Sequence, residues 1–212
     1  MTMAGALAGA ASARPQAAPA PAPAQAGPVQ AQAQAGQEPT DSAAPTLAAR
    51  AADRARLDAL FAELRQPGDE GDWRRAEAGI QRIWSRSGSA AMDLLLARAE
   101  AALDAGDTDA AIGHLTALTD RAPDFAAGWY LRAVALHAAG ETGPALADLA
   151  QALRLEPRHY PALTQLGAIL EELGQDRAAL SACRASLAIN PHQQDAADAA
   201  ARLERIARGQ DA

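Results

Sequence analysis

The sequence contains no lysine. All 19 basic residues are arginine, set against 26 acidic ones, and the net charge is -7. An acidic chain with no basic stripe lacks the footprint that neutralises phosphates, which excludes general nucleic-acid binding. A single cysteine, Cys183, leaves no intramolecular disulfide and no cysteine-based metal cluster. Aromatic residues make up only 3%, so a core has to be assembled from Leu, Ile, Val and close Ala contacts. No stretch reaches the ~18 consecutive apolar residues that a membrane-spanning helix requires.

Chemistry-bearing patterns are equally sparse. His114, His137, His159 and His192 show no close helical pairing, and no His-Glu-x-x-His occurs. There is no phosphate-cradling glycine loop and no dinucleotide fingerprint. Glu171 and Glu172 are adjacent, so on a helix they diverge, whereas paired carboxylate catalysis needs convergence. Cys183 falls among core positions and reads as a small buried hydrophobe. The expectation is a non-enzyme without cofactor or metal.

What is present divides into segments. Residues 1–46 are Ala, Pro, Gln and Gly, with Arg14, Glu38 and Asp41 as the only charges. Residues 14–46 read as a disordered, partly polyproline-like linker, since they hold no large apolar residues to bury. Residues 1–13 end in Ala11-Ser12-Ala13, a small-x-small pattern expected of a cleaved export signal, though the basic start of such a signal is missing. Export to a bacterial periplasm is one expectation, and a plain Ala-rich leader on a cytoplasmic protein is the other. Residues 47–90 change to helical spacing. Leu57, Leu60, Phe61 and Leu64 form one stripe, and Ala76, Ile80, Ile83 and Trp84 form another. Pro67 to Gly71 separates them as a turn, predicting a helical hairpin.

From residue 92 the chain repeats itself. Gly106, Gly140 and Gly174 are 34 residues apart, as are Pro123, Pro157 and Pro191. The columns Ala99/Ala133/Gly167, Ala111/Ala145/Ala179 and Leu115/Leu149/Cys183 keep the same register. The glycines fit the left-handed position that ends a first helix. Capping residues then open a second, with Pro144 expected at a first helical position. The prolines stop that second helix, and the small columns let two helices approach closely. Residues 194–208 carry Ala196, Ala199, Ala200, Leu203, Ile206 and Ala207 at helical spacing, as a terminal cap requires.

The middle unit carries Trp129-Tyr130, Ala133, Gly140, Ala145, Leu149, Ala152, Leu155 and Pro157, and in these positions the chain resembles the tetratricopeptide repeat family. The resemblance implies an all-α fold, a right-handed α-solenoid of antiparallel helix pairs. It places repeats at 92–125, 126–159 and 160–193, with a divergent repeat-like hairpin at 47–90 and a capping helix at 194–208. Pro67 breaks the family pattern in that hairpin.

The resemblance also implies a function: a protein-interaction module or scaffold that binds a peptide or protein in a concave groove lined by the first helix of each unit. The groove would present Asp93, Leu96 and Glu100, then Tyr130, Val134 and His137, then Thr164, Ala168 and Glu171. An alternative is an accessory subunit that recruits an enzyme in envelope or cytochrome assembly, and self-association is a further outcome. The family's co-chaperone members clamp a terminal carboxylate with Lys, Asn and Arg. This groove has no Lys and no Asn, so acidic chaperone tails are not expected to bind.

Overall fold

A computed structural model describes residues 47–66 and 68–210. The expected signal at 1–13 and linker at 14–46 lie outside the described residues. Among these the chain is all helix: α1 (Leu47–Leu64), α2 (Glu70–Trp84), α3 (Ala90–Asp104), α4 (Thr108–Arg121), α5 (Ala126–Ala138), α6 (Thr142–Leu155), α7 (Tyr160–Glu172), α8 (Asp176–Ile189) and α9 (Gln194–Gln210).

The repeated columns explain the three helix pairs α3/α4, α5/α6 and α7/α8. Gly106 takes φ +76°, and Gly140 and Gly174 are also left-handed. At the first of these, Gly106 N–H donates to Leu103 O at 2.9 Å and Asp107 N–H to Ala102 O at 2.8 Å. This satisfies carbonyls that the helix end would otherwise leave open. Asp107 then caps α4 by accepting from the Ala110 amide. Pro144 is the third residue of α6 rather than the first, where its missing N–H is still one of the four unbonded donors. Each second helix stops two residues before its proline.

Ala99, Ala111, Ala133, Ala145 and Ala179 are fully buried, with Leu115, Leu149 and Cys183 beside them. A Cβ added at Gly167 would sit 2.8 Å from Cys183 Sγ, which shows how close α7 and α8 lie. Burial raises the Cys183 thiol pKa, in keeping with a packing role.

Each first helix packs on the second helix of the preceding unit, α5 on α4, α7 on α6 and, at the end, α9 on α8. First helices also touch one another (α3 with α5, α5 with α7, α7 with α9), whereas no comparable packing joins second helices among the described residues. The first helices therefore form the inner, concave wall. α9 covers the last unit through Ala196, Ala200 and Leu203, while Ile206, expected within that stripe, is exposed.

The N-terminal hairpin departs from the expected stack. α1 and α2 pair with each other, but α3 does not pack on α2 as α5 packs on α4. Two local features account for this. The α2–α3 link spans residues 85–89, one residue longer than the links at 122–125, 156–159 and 190–193. It also carries Gly88 at φ +86° where the others carry proline. Asp93 fixes this shape by accepting from Ser87 N–H at 2.7 Å and Ser87 Oγ–H at 2.6 Å. The second feature is Leu94. It occupies the column that holds Gly128, Ala162 and Ala196 elsewhere, where a small side chain is what lets the preceding helix come close.

Candidate functional site

The concave wall holds the groove positions, and the nine expected residues separate into two groups. Leu96 is 3% exposed and belongs to the core with Leu115 and Leu118, so it offers no surface. Asp93 is spent on the α2–α3 link. Thr164 turns inward, hydrogen-bonded to Ser186 Oγ at 2.8 Å and Gln193 Oε1 at 2.9 Å. Tyr130 is half-buried, its ring 4.7 Å from that of His159, and burial raises its phenol pKa. These four are packing residues: Leu96 packs within its own helix pair, Asp93 holds the α2–α3 link, and Tyr130 and Thr164 meet residues of other elements.

The remaining positions face the groove. Glu100 and Ala168 are exposed, and Val134, His137 and Glu171 are half-buried. Partial burial, followed by the Asp104 carboxylate, raises the Glu100 pKa. His137 bridges two helices: its Nε2 lies 2.9 Å from Glu172 Oε2, and Gln165 Nε2 lies 3.0 Å from its Nδ1. Glu171 takes both arms of Arg202 from α9 at 2.7 Å, which lowers its carboxyl pKa. Glu171 and Glu172 do diverge, but each holds a partner and neither is merely solvated. The groove is thus a small apolar strip, Val134 and Ala168, in an acidic frame.

Sequence reasoning missed a second surface. The hairpin docks on the edge formed by the proline turns, through long side chains. The residues one past each proline, Asp124, Arg158 and His192, each meet α1. Arg50 reaches Asp124 at 3.3 Å, Arg158 reaches Asp58 at 2.6 Å, and His192 Nε2–H donates to Leu64 O at 3.0 Å. The α1 contacts are 8 and then 6 residues apart, about 12 and 9 Å of helix rise. That is close to the spacing of packed helices, so α1 runs along the edge in step with the repeats. The signal was present in the sequence, as two charges and a ring in the Asp124/Arg158/His192 column.

Aromatic rings lock this docking. Trp84 stacks on His159 at 4.4 Å with 14° between planes, and Trp73 stacks on His192 at 4.6 Å. Tyr160 O–H donates to Glu77 Oε1 at 3.1 Å and accepts from Gln81, while Asn190 donates to the same Glu77 oxygen. His159 is 2% exposed and caps α7 by accepting from the Ala162 amide at Nδ1.

Burial holds the His159 pKa down to about 4, against an ordinary 6.5. Above about pH 6.5 the imidazole is neutral whether folded or unfolded and adds no pH dependence. Between 6.5 and 4 the unfolded chain binds the proton and the folded one does not, so stability falls as pH falls, by on the order of 3 kcal/mol in total. Urea unfolding of the wild type and of His159→Gln across this range should show a stability difference that changes below pH 6.5 and is flat above it. A difference flat throughout would remove His159 from the acid response.

A cleft of about 660 Å³ opens between the start of α1, the α2–α3 link and the turns before α5 and α7, with Arg54, Arg86, Leu57 and Phe125 in its lining. It gathers charge and apolar surface. Among the described residues no group of three or more His, Cys, Asp or Glu is placed to hold a metal ion, and no helix is long and apolar enough to cross a membrane.

Comparison with known proteins gives a consistent result. A tetratricopeptide repeat family model matches residues 160–193. A repeat-containing protein of Rhizobium etli, described as a TPR repeat-containing protein, is 33% identical over 141 residues, which is 66% of this chain and 69% of that protein. Among solved structures, the first TPR domain of Spaghetti (RPAP3) bound to an HSP90 peptide is 20% identical, covers 55% of this chain and 93% of its own, and gives a TM-score of 0.53. A crystal structure of MamA is 21% identical, covers 69% of this chain and 89% of its own, with a TM-score of 0.53. Both structural likenesses establish the fold.

Proposed function

The chain belongs to the tetratricopeptide repeat family, and from that membership and the groove geometry we propose that its solenoid binds a peptide or protein partner along the concave wall, without catalysing a reaction. The observation that carries this reading is the apolar strip of Val134 and Ala168, left open on a wall where His137, Glu171 and Glu172 are fixed by helix-to-helix pairs. Its frame is acidic at Glu100 and Asp104, with Glu171 and Glu172 held by Arg202 and His137, and it holds neither Lys nor Asn. This favours a partner segment that is apolar with neutral or basic flanks over an acidic tail of the kind seated on the Spaghetti domain.

Affinity capture with the full chain tests the proposal. Partners identified by mass spectrometry should be retained by the wild type and lost from Ala168→Arg, which changes an exposed groove position. An identical set captured by both would remove the groove from partner binding. We further propose that the protein is exported to the bacterial periplasm, with residues 14–46 as a tether; a cytoplasmic protein is the alternative. Sequencing the N-terminus of the mature protein checks this, and an intact Met1 would count against it.

A further inference from the structure

The repeat register identifies an incomplete interface at the other end of the solenoid from α9. Leu94 shares its column with Gly128, Ala162 and Ala196, and Ala101 shares its column with Ala135, Ile169 and Leu203. In the later units these positions are buried. Gly128 lies under Leu118 and Thr119, so that a Cβ added there would meet them at 3.2 and 3.5 Å. In α3 the same face is open: Leu94 is 51% exposed, and Ala97 and Ala101 are exposed as well. Arg98 shows the same gap. Its counterpart Arg132 reaches Thr119 Oγ1 on the preceding helix at 2.8 Å, whereas Arg98 has no ion pair or side-chain hydrogen bond among the described residues.

We propose that this outer face of α3 docks an amphipathic helix of a partner protein, one that sets a small residue against Leu94 and a hydroxyl or carboxylate against Arg98. The face continues a stacking interface that the chain already makes three times, so its chemistry is known from the columns. An isolated solenoid end with an apolar face needs a cover. The chain's own α2 is held at the proline-turn edge by Trp84 and Trp73. Leu94 in place of glycine or alanine also requires an incoming helix with a hole, which α2, ending in Ile83 and Trp84, lacks. Antiparallel two-fold pairing of two α3 faces brings the two Arg98 guanidiniums together with no anion between them, and like charges at that range repel. Arg98 is instead complementary to an acceptor on a different helix.

The test uses the full chain and a defined probe: a synthetic peptide copying α4 (Thr108–Arg121) with Leu118→Ala. In this peptide a small residue faces Leu94, and Thr119 faces Arg98. Titration into the isotope-labelled protein should give saturable amide shifts centred on Leu94, Ala97 and Ala101. Affinity should fall at least tenfold with Leu94→Arg and with the unmodified α4 peptide, and should be unchanged by Ala168→Arg in the groove. Leu94 is exposed, so its substitution leaves the fold intact, which thermal melting verifies. Shifts confined to the groove, shifts indifferent to Leu94→Arg, or no saturable shift would overturn the proposal. So would a dimer in sedimentation that Leu94→Arg abolishes, which would assign the face to a second copy. Because the groove variant is scored separately, failure here leaves the groove proposal standing.

Discussion

Replacing Arg132 with alanine is expected to lower stability by about 3–5 kcal/mol, the range for removing one partner of a buried ion pair. The guanidinium places Nε 2.6 Å and Nη2 2.8 Å from the two oxygens of Asp148, and Nη1 2.8 Å from Thr119 Oγ1. It also lies 4.7 Å over the Trp129 ring. One side chain on α5 thus joins its own unit through α6 and the preceding unit through α4. Asp148 is 5% exposed, so without Arg132 its charge stays buried and unpaired. For a folded region of this size the loss corresponds to a melting temperature lower by roughly 10 °C.

Two controls separate the causes. Arg132→Lys keeps the charge but loses the planar fork, so it should be intermediate. Arg132→Met combined with Asp148→Leu removes both charges and should recover most of the loss, because the penalty comes from the orphaned carboxylate and not from missing attraction. If the double variant is as unstable as Arg132→Ala, the packing of the long side chain on Trp129 dominates instead. Calorimetry carries further information here. A solenoid is stabilised unit by unit with nearest-neighbour coupling, and Arg132 spans such a junction. Arg132→Ala should therefore broaden or split the transition, while a substitution inside one unit shifts it as a whole.

The repeats were legible because their constraints are local and recur. A left-handed glycine, a proline stop and a small residue at a close helix contact each depend on near neighbours, and three copies made them visible. Arg132 was not singled out. Leu166 replaces it 34 residues later and Asp148 gives way to Ala182, so no column announces the pair. The groove was half legible for a related reason. Family resemblance indicates which helices line it, but whether Tyr130 or Thr164 faces out depends on a fraction of a helical turn. That fraction is set by contacts with His159 and Ser186 from other elements.

The placement of the hairpin was the least legible feature. Its two apolar stripes were correct, since Leu57, Phe61, Leu64, Ala76, Ile80 and Trp84 are all buried. A stripe, however, says that a face is covered and not by what. The partner was decided by one extra link residue and by Leu94, single-residue features that periodicity averages away.

That arrangement makes Trp84 the residue on which hairpin docking depends most. The indole is 8% exposed and meets His159, Tyr160 at 5.6 Å and Phe61 at 5.9 Å. Its Nε1–H is buried with no hydrogen-bond partner among the described residues, so its contribution comes from area and ring contacts. Trp84→Ala is expected to remove about 3–5 kcal/mol, as for large aromatic truncations in cores. The loss should be local. α1 and α2 hold the solenoid through side chains at its edge, not through a shared helix stack, so they can open while α3–α9 stay closed. Hydrogen exchange should show α1 and α2 amides losing protection while those of α5 to α8 keep theirs. Trypsin should then cut faster at Arg50, Arg54 and Arg56 within α1 and at Arg65 just after it, as the helix opens. Trp84→Phe keeps an aromatic face for His159 and should retain most of the protection. If α1 and α5 instead lose protection in step, the hairpin is an integral part of one cooperative unit and the edge-docked description fails.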